Sequence, residues 1–371
     1  MNYSNEAWEL DAEIYTCIER WHKFDEAITE NAFNDLALRI FAHQLRYNDL
    51  YAKYCAALGV TLERMPDHWE AIPAVPSAAF KEAALTTFPP AQAELTFATS
   101  GTTGAATGFH YMENARLYDA ALLAGFDHFM LPDHCALRYL NLVPNPAQQP
   151  HSSLGYMMAR VSEARGDGAT AWYLDGDSIN IDALCGDLEA AVEHDRPLCI
   201  ATTAFALVHV LDALHERHRY FALPTGSRVM ETGGFKGRSR VVDRDDLYAR
   251  TAERFGMINC AIVAEYGMTE LTSQYYDDVM LLGHDHTIAP TRYKLSPPWL
   301  RPRVVDAAGK TVPNGVVGAL VHVDLANRSS CIAIQTEDLG AQFDDGLVLI
   351  GRESGAALRG CSLSAEELVV R

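Results

Sequence analysis

The chain has 371 residues, with 30 basic against 49 acidic side chains and a formal net charge of −19. So acidic a protein is a poor partner for nucleic acid or anionic lipid. Its 49% of apolar residues suffices for a large core, yet no run approaches the ~20 apolar residues of a membrane span. Met1-Asn2-Tyr3-Ser4-Asn5-Glu6 has neither the basic start nor the apolar stretch of a signal peptide, so the expected location is the cytoplasm. Eight cysteines occur and none forms C-x-x-C, which gives a zinc site little support and, in a reducing compartment, makes disulfides unexpected.

Apolar residues recur at three- and four-residue spacing over 6–20 and 26–57, which predicts helices. Pro66, Pro73 and Pro76 then break the chain into a connector, followed by a short helix over 80–85. From residue 95 strands and helices alternate: a strand to Ala98, a helix over 113–130 and a strand over 137–143. Leu122, Leu123, Phe126, Phe129 and Met130 on that helix can line an apolar channel, although such spacing more often marks core. Pro144, Pro146 and Pro150 mark a loop whose polar tip, His151-Ser152-Ser153, either touches a bound substrate or lies on the surface. The rhythm resumes with a strand at 171–173, a helix over 181–194, a strand over 198–202, a helix over 204–219 and a strand over 228–231. Asp243, Asp245 and Asp246 are placed to cap the helix that follows. The alternation predicts an α/β fold with parallel strands, and the Pro- and Gly-punctuated short strands of 290–350 predict a small β-rich subdomain.

Four segments carry chemistry. Residues 98–104 read Ala-Thr-Ser-Gly-Thr-Thr-Gly. Gly101 and Gly104 let the backbone turn, and Thr99, Ser100, Thr102 and Thr103 bring hydroxyls, a combination suited to phosphate oxygens. There is no lysine as in G-x-x-x-x-G-K-[ST], and no G-x-G-x-x-G, so positive charge must come from a metal ion or a distant side chain. In Ala-Glu-Tyr-Gly-Met-Thr-Glu, 264–270, Tyr266 can stack on a purine and Glu270 can coordinate magnesium. In Gln335-Thr336-Glu337-Asp338-Leu339-Gly340 a carboxylate at an expected strand end can accept both ribose hydroxyl protons. Gly233-Gly234-Phe235-Lys236-Gly237-Arg238 combines close backbone approach to a flat ring with charge for a phosphate. Taken singly, each also reads as a surface turn, a buried tyrosine or an Asp-Gly turn.

In this order the segments resemble the adenylate-forming superfamily of acyl- and aryl-CoA ligases, peptide-synthetase adenylation domains and luciferases. The resemblance implies an α/β fold with mixed and parallel sheets flanked by helices and a small β-rich subdomain. It makes 99–104 the phosphate loop, Gly233-Gly234 the wall of the adenine site and Tyr266-Gly267-Met268-Thr269-Glu270 the aromatic-Gly-x-Thr-Glu motif. In that motif the Tyr stacks on adenine, the Thr contacts the α-phosphate and the Glu binds Mg2+. Asp338 matches the ribose-binding aspartate, Gly315–Val321 the hairpin before it, and Gly351-Arg352 the hinge after it. Only Cys361 to Arg371 follow Arg359-Gly360, so the usual cap with its catalytic lysine is expected to be missing.

That short form, with Gly233-Gly234-Phe235-Lys236-Gly237, resembles the acyl-protein synthetases of the LuxE type, with Phe235 where tryptophan is usual. The expected organisation is a helical region and connector at 1–90, a nucleotide-binding core at 91–290, the β-rich subdomain at 291–350 and a hinge remnant and tail at 351–371. The expected chemistry is ATP- and Mg2+-dependent activation of a carboxylic acid, of fatty type, as acyl-AMP. Transfer to Cys361 as a thioester follows, for delivery to an acyl-accepting partner, a reductase or carrier, with Lys236 supplying charge near the carboxylate or phosphate. A free-standing CoA ligase and a non-catalytic nucleotide- or acyl-binding subunit remain as alternatives.

Overall fold

A computed structural model describes residues 3–99, 107–168, 170–176, 178–233, 243–282 and 291–352. The chain opens with α1 (Tyr3–Phe24), α2 (Glu30–Tyr47) and α3 (Asp49–Ala57). The single helix expected over 26–57 is two. The Asn48 side chain accepts the Tyr51 N–H at 3.1 Å and starts α3, while its own N–H closes α2 on the Gln44 carbonyl. An asparagine that caps its own downstream turn competes with helix continuation. The connector holds β1 (Val75–Pro76) and α4 (Ala79–Glu82), then β2 (Leu95–Ala98), β3 (Phe109–Met112) and α5 (Arg116–Met130).

Next come β4 (Arg138–Leu142), α6 (Ser153–Arg165), β5 (Ala171–Trp172), the short pair β6 (Leu174–Asp175) and β7 (Ser178–Ile179), and α7 (Ile181–Glu193). They lead to β8 (Leu198–Thr203), α8 (Ala204–Glu216), β9 (Arg228–Thr232), α9 (Arg244–Phe255), β10 (Ile262–Tyr266), β11 (Tyr275–Asp277) and α10 (Val279–Leu282). Side-chain caps start the long helices here: Asn180, Thr203 and Asp243 accept backbone N–H groups at α7, α8 and α9. Helix α6 is not legible in the sequence. Ser152 Oγ accepts the Gly155 N–H at 3.0 Å, so this serine is the N-cap of α6. The chain then runs through β12 (Lys294–Leu295), β13 (Leu300–Val305), β14 (Gly318–Asp324), β15 (Ala333–Phe343) and β16 (Gly346–Arg352).

Two compact units result. The first comprises Met1–Gly125, Met268–Gln274 and the chain from Tyr293 onward; the second comprises Phe126–Gly267 and Tyr275–Arg292. In the first, β13, β14, β15, β16 and β12 follow one another antiparallel, and β1 pairs parallel with β15. Its core includes Phe33, Phe41, Tyr51 and Trp299, with Trp21 edge-on to Trp299 at 5.2 Å. In the second unit the strand order is β11-β10-β9-β8-β4-β5, parallel except for β11. Strands β8, β9 and β10 are buried along nearly their whole length, as parallel strands covered on both faces must be. The apolar faces of α7, α8 and α9 pack on them through Leu188, Leu207, Leu211 and Leu247. The expected α/β architecture is what the structure has, and β12 to β16 lie within 294–352. Leu122, Phe126, Phe129 and Met130 are core, at 2% exposure or less.

Candidate active site

In the first unit the base of the 99–104 loop is built by a hairpin. β2 and β3 pair antiparallel with Ala98 opposite Phe109, so the connection leaves and returns at one end. Thr99 is buried there. Its N–H donates to the Gly108 carbonyl at 2.9 Å, and its hydroxyl oxygen accepts the Gly108 N–H at 3.0 Å. Gly108 cannot carry a side chain, since a Cβ would stand 2.4 Å from the Phe80 carbonyl oxygen. Thr99 therefore closes the loop base through its oxygen and keeps a hydroxyl proton to donate. Ser100, Gly101, Thr102, Thr103 and Gly104 lie outside the described residues.

Thr269 is tied to this hairpin. Its hydroxyl donates to the Ala98 carbonyl at 3.4 Å, and its own carbonyl oxygen lies 2.8 Å from His110 Nδ1 on β3. A carbonyl only accepts, so Nδ1 carries the proton. Burial holds the His110 pKa down to about 4, which keeps the ring neutral, and Phe80 packs edge-on against it at 5.7 Å. Two segments more than 160 residues apart in sequence are thus joined where both carry predicted phosphate-contacting residues. Glu270 follows, buried at 7% exposure, with its carbonyl accepting from Asn327 Nδ2 at 3.0 Å. Met268 is half-buried, and its carbonyl accepts the Leu271 N–H at 3.1 Å.

Asp338 is in the same unit, but not at a strand end. β15 runs through it, and the register against β14 shifts between Ala319 and Val321, leaving 336–338 opposite Leu320 alone. Thr336 stabilises this bulge: its hydroxyl donates to the Leu320 carbonyl at 3.3 Å and its oxygen accepts the Asp338 N–H at 3.1 Å. Bulges re-aim side chains, and Asp338 is left half-exposed. Beside it His322 is fully buried with its pKa lowered to about 4 by burial, the Asp338 charge pulling the other way. Arg352 is the register partner of Asp338 on β16.

In the second unit, Gly233 and Tyr266 end adjacent parallel strands, Thr232 pairing with Glu265. Gly233 has φ +76°, a conformation that favours glycine, while a Cβ there would meet open space. Tyr266 is half-buried, its ring 5.7 Å from Tyr275 and tilted by 46°, and Gly267 follows it, also half-buried. Below them Glu265 is buried and accepts from the Thr232 hydroxyl, and Glu231 accepts from the Tyr248 hydroxyl at 2.7 Å. Gly234, Lys236 and Cys361 lie outside the described residues.

Among the described residues no group of three or more His, Cys, Asp or Glu could cage a metal ion. Magnesium at a nucleotide site needs no such cage, being held by one or two carboxylates, waters and substrate phosphates. Glu270, a hard oxygen donor next in the chain to Thr269, has the chemistry such a role needs. Sequence reasoning missed His110, Asp324 and Asn327, which act on backbone groups and belong to no motif. Among the described residues no helix is long and apolar enough to cross a membrane, and every cysteine is free.

A long-chain-fatty-acid–luciferin-component ligase of Vibrio harveyi is 22% identical over 351 residues, 88% of this chain and 85% of that protein. Among solved structures, 2-hydroxyisobutyryl-CoA ligase in complex with 2-HIB-AMP and CoA superposes with a TM-score of 0.62 at 13% identity, over 88% of this chain and 71% of that one. ATP-bound MatB from Rhodopseudomonas palustris gives a TM-score of 0.50 at 16% identity, over 72% of this chain and 49% of that one. The chain spans about half the length of several of the solved structures it matches. Residues 9–369 match the family described as acyl-protein synthetase, LuxE, and the chain belongs to that family of ligases.

Proposed function

We propose that the chain activates a carboxylic acid, of fatty type, with ATP in the cytoplasm and carries the acyl group on its own Cys361. In the first half-reaction a carboxylate oxygen attacks the α-phosphorus, the bond to the pyrophosphate oxygen breaks, and acyl-AMP forms. The work asked of the protein is positioning and electrostatic stabilisation of phosphate charge. Tyr266 and the Gly233-Gly234 backbone hold adenine, Asp338 the ribose hydroxyls, Thr269 the α-phosphate and residues 99–104 the outer phosphates. Glu270 holds the nucleotide's magnesium, and Lys236 supplies positive charge. In the second half-reaction the Cys361 thiolate attacks the acyl carbonyl carbon and AMP leaves, giving a thioester for a partner reductase or carrier.

The observation that carries this reading is the junction of Thr269 with the β2–β3 hairpin at Ala98 and His110. It brings the Thr269 hydroxyl to the base of the hydroxyl-rich loop, with Glu270 the next residue in the chain. The family's name and the ligase activity named for the Vibrio harveyi relative support it, as does the ATP bound by MatB, which shares the fold. The test is acid-dependent ATP–pyrophosphate exchange across a panel of acids, followed by labelled acid and ATP without CoA. Protein-bound label that disappears in Cys361→Ala is the expected result. Product formation only with CoA replaces the carrier step with a CoA-ligase reaction, and absence of exchange with every acid sinks the proposal.

A further inference from the structure

We infer that Asp324, at the end of β14, and Asn327, in the turn that follows it, are positioning residues that fix the Thr269–Glu270 segment for nucleotide and metal; this rests on the reading of Glu270 given above. Asn327 is buried at 1% exposure, and its amide is used on both sides. Nδ2 donates to the Glu270 carbonyl at 3.0 Å and to the Cys331 carbonyl at 3.1 Å, while Oδ1 accepts from the Thr272 hydroxyl at 2.5 Å. Asp324 is fully buried. Its carboxylate accepts the N–H groups of Thr272 at 3.2 Å, Ser273 at 2.9 Å and Ala326 at 2.9 Å, and the Ser273 hydroxyl at 3.0 Å. Trp299 Nε1 donates to that same hydroxyl at 2.9 Å. Every backbone handle from Glu270 to Ser273 that these two side chains reach lies at or immediately after the proposed metal ligand.

A carboxylate buried among neutral donors is an expensive way to hold a turn. Burial accordingly pushes the Asp324 pKa up to about 6. The directional bonds give what apolar packing cannot, a single backbone path for Glu270. The turn is itself anchored. Gln44 on α2 donates to the Asn327 and Arg328 carbonyls at 2.8 and 3.1 Å and accepts the Ile332 N–H at 2.9 Å. Arg328 pairs with both Asp11 oxygens and with Glu113.

Calorimetric titration of the full chain with ATP, in Mg2+ and then in EDTA, tests the inference. Wild-type protein binds ATP more tightly in Mg2+, and Glu270→Gln loses that gain. Asn327→Ala loses about tenfold of the Mg2+ gain, as removal of groups supporting a metal ligand does, with binding in EDTA changed less than about twofold. Thr272→Val, which keeps the side-chain shape and removes only the hydroxyl donated to Asn327, shifts the gain the same way by about threefold. A purely structural role would lower the active fraction and leave both affinities alone. Equal Mg2+ gains in wild type, Thr272→Val and any folded Asn327→Ala overturn the positioning role while leaving the function intact. A wild type whose ATP affinity ignores Mg2+ overturns the reading of Glu270, and this inference with it.

Discussion

The two units hold their motif residues by opposite means. In the second, Gly233 and Tyr266 ride on the ends of β9 and β10, strands fixed by ladder hydrogen bonds and by leucines, isoleucines and valines from α7, α8 and α9. In the first, Thr269 and Glu270 are held by side chains that make hydrogen bonds: His110 and Asn327 directly, Asp324 through Thr272 and Ser273 just after them, and Gln44 and Arg328 behind these. Apolar packing is non-directional and forgives changes of shape that conserve volume. A buried polar brace is directional, and a half-satisfied one is worse than none. The contrast suggests that the second unit supplies a platform and the first an alignment.

Acid should separate the two most strongly. His43, His110 and His322, all in the first unit, are buried with pKa values lowered by burial to about 3, 4 and 4. Below pH 6.5 the unfolded chain takes up protons that these rings refuse, so stability present above 6.5 is lost as pH falls toward 4. Each loss is roughly 3 kcal/mol or more. Asp324, raised to about 6, opposes this by gaining stability as pH falls from 6 toward its ordinary value, but it is one group against three. Hydrogen exchange at pH 5 should show β3 and β14 losing protection before β8 and β10; the reverse order would break the comparison.

Arg328→Ala comes next. It leaves Asp11 and Glu113 without their buried cation, and denaturant unfolding should show a loss of about 3–5 kcal/mol. Leu211→Ala, in the core of the second unit, should lose about 2–5 kcal/mol. The sharper pair conserves volume. Leu211→Met should cost less than about 1.5 kcal/mol, whereas Gln44→Met, which takes the Gln44 partner from the Arg328 carbonyl and the Ile332 N–H and one of two donors from the Asn327 carbonyl, should cost about 2–3 kcal/mol. Similar losses for the two would mean that the brace is no more demanding than the core. The smallest effect expected is about 1 kcal/mol for Asp243→Ala, which removes an N-cap from α9 and touches neither arrangement.

Much of the second unit was legible because its signals are local. Buried runs such as Leu198–Thr203 and the acidic start of α9 announce strands and caps without reference to distant residues. Helix α6 escaped because a Ser-Ser-Leu-Gly start reads as loop, and its buried Met157, Met158 and Val161 are too few to reveal the period. The bulge at Asp338 was invisible because register belongs to a pair of strands, and only Leu320 opposite shows the extra residues. The Thr-Glu motif was readable, but its supports were not. His110 sits in an ordinary alternating strand, and Asp324 and Asn327 look like turn residues. Their roles come from carbonyls and N–H groups contributed by chain more than 50 residues away.

The bond from Gln44 to the Asn327 carbonyl spans 283 residues. Contacts of such separation pay the largest loop-closure entropy and form late. During synthesis α2 therefore waits, its amide unpaired, until the ribosome has released the chain beyond Ile332. The strands of the second unit, the last ending at Asp277, are made well before Asn327, and a chain stopped short of that residue lacks the brace on the Glu270 backbone.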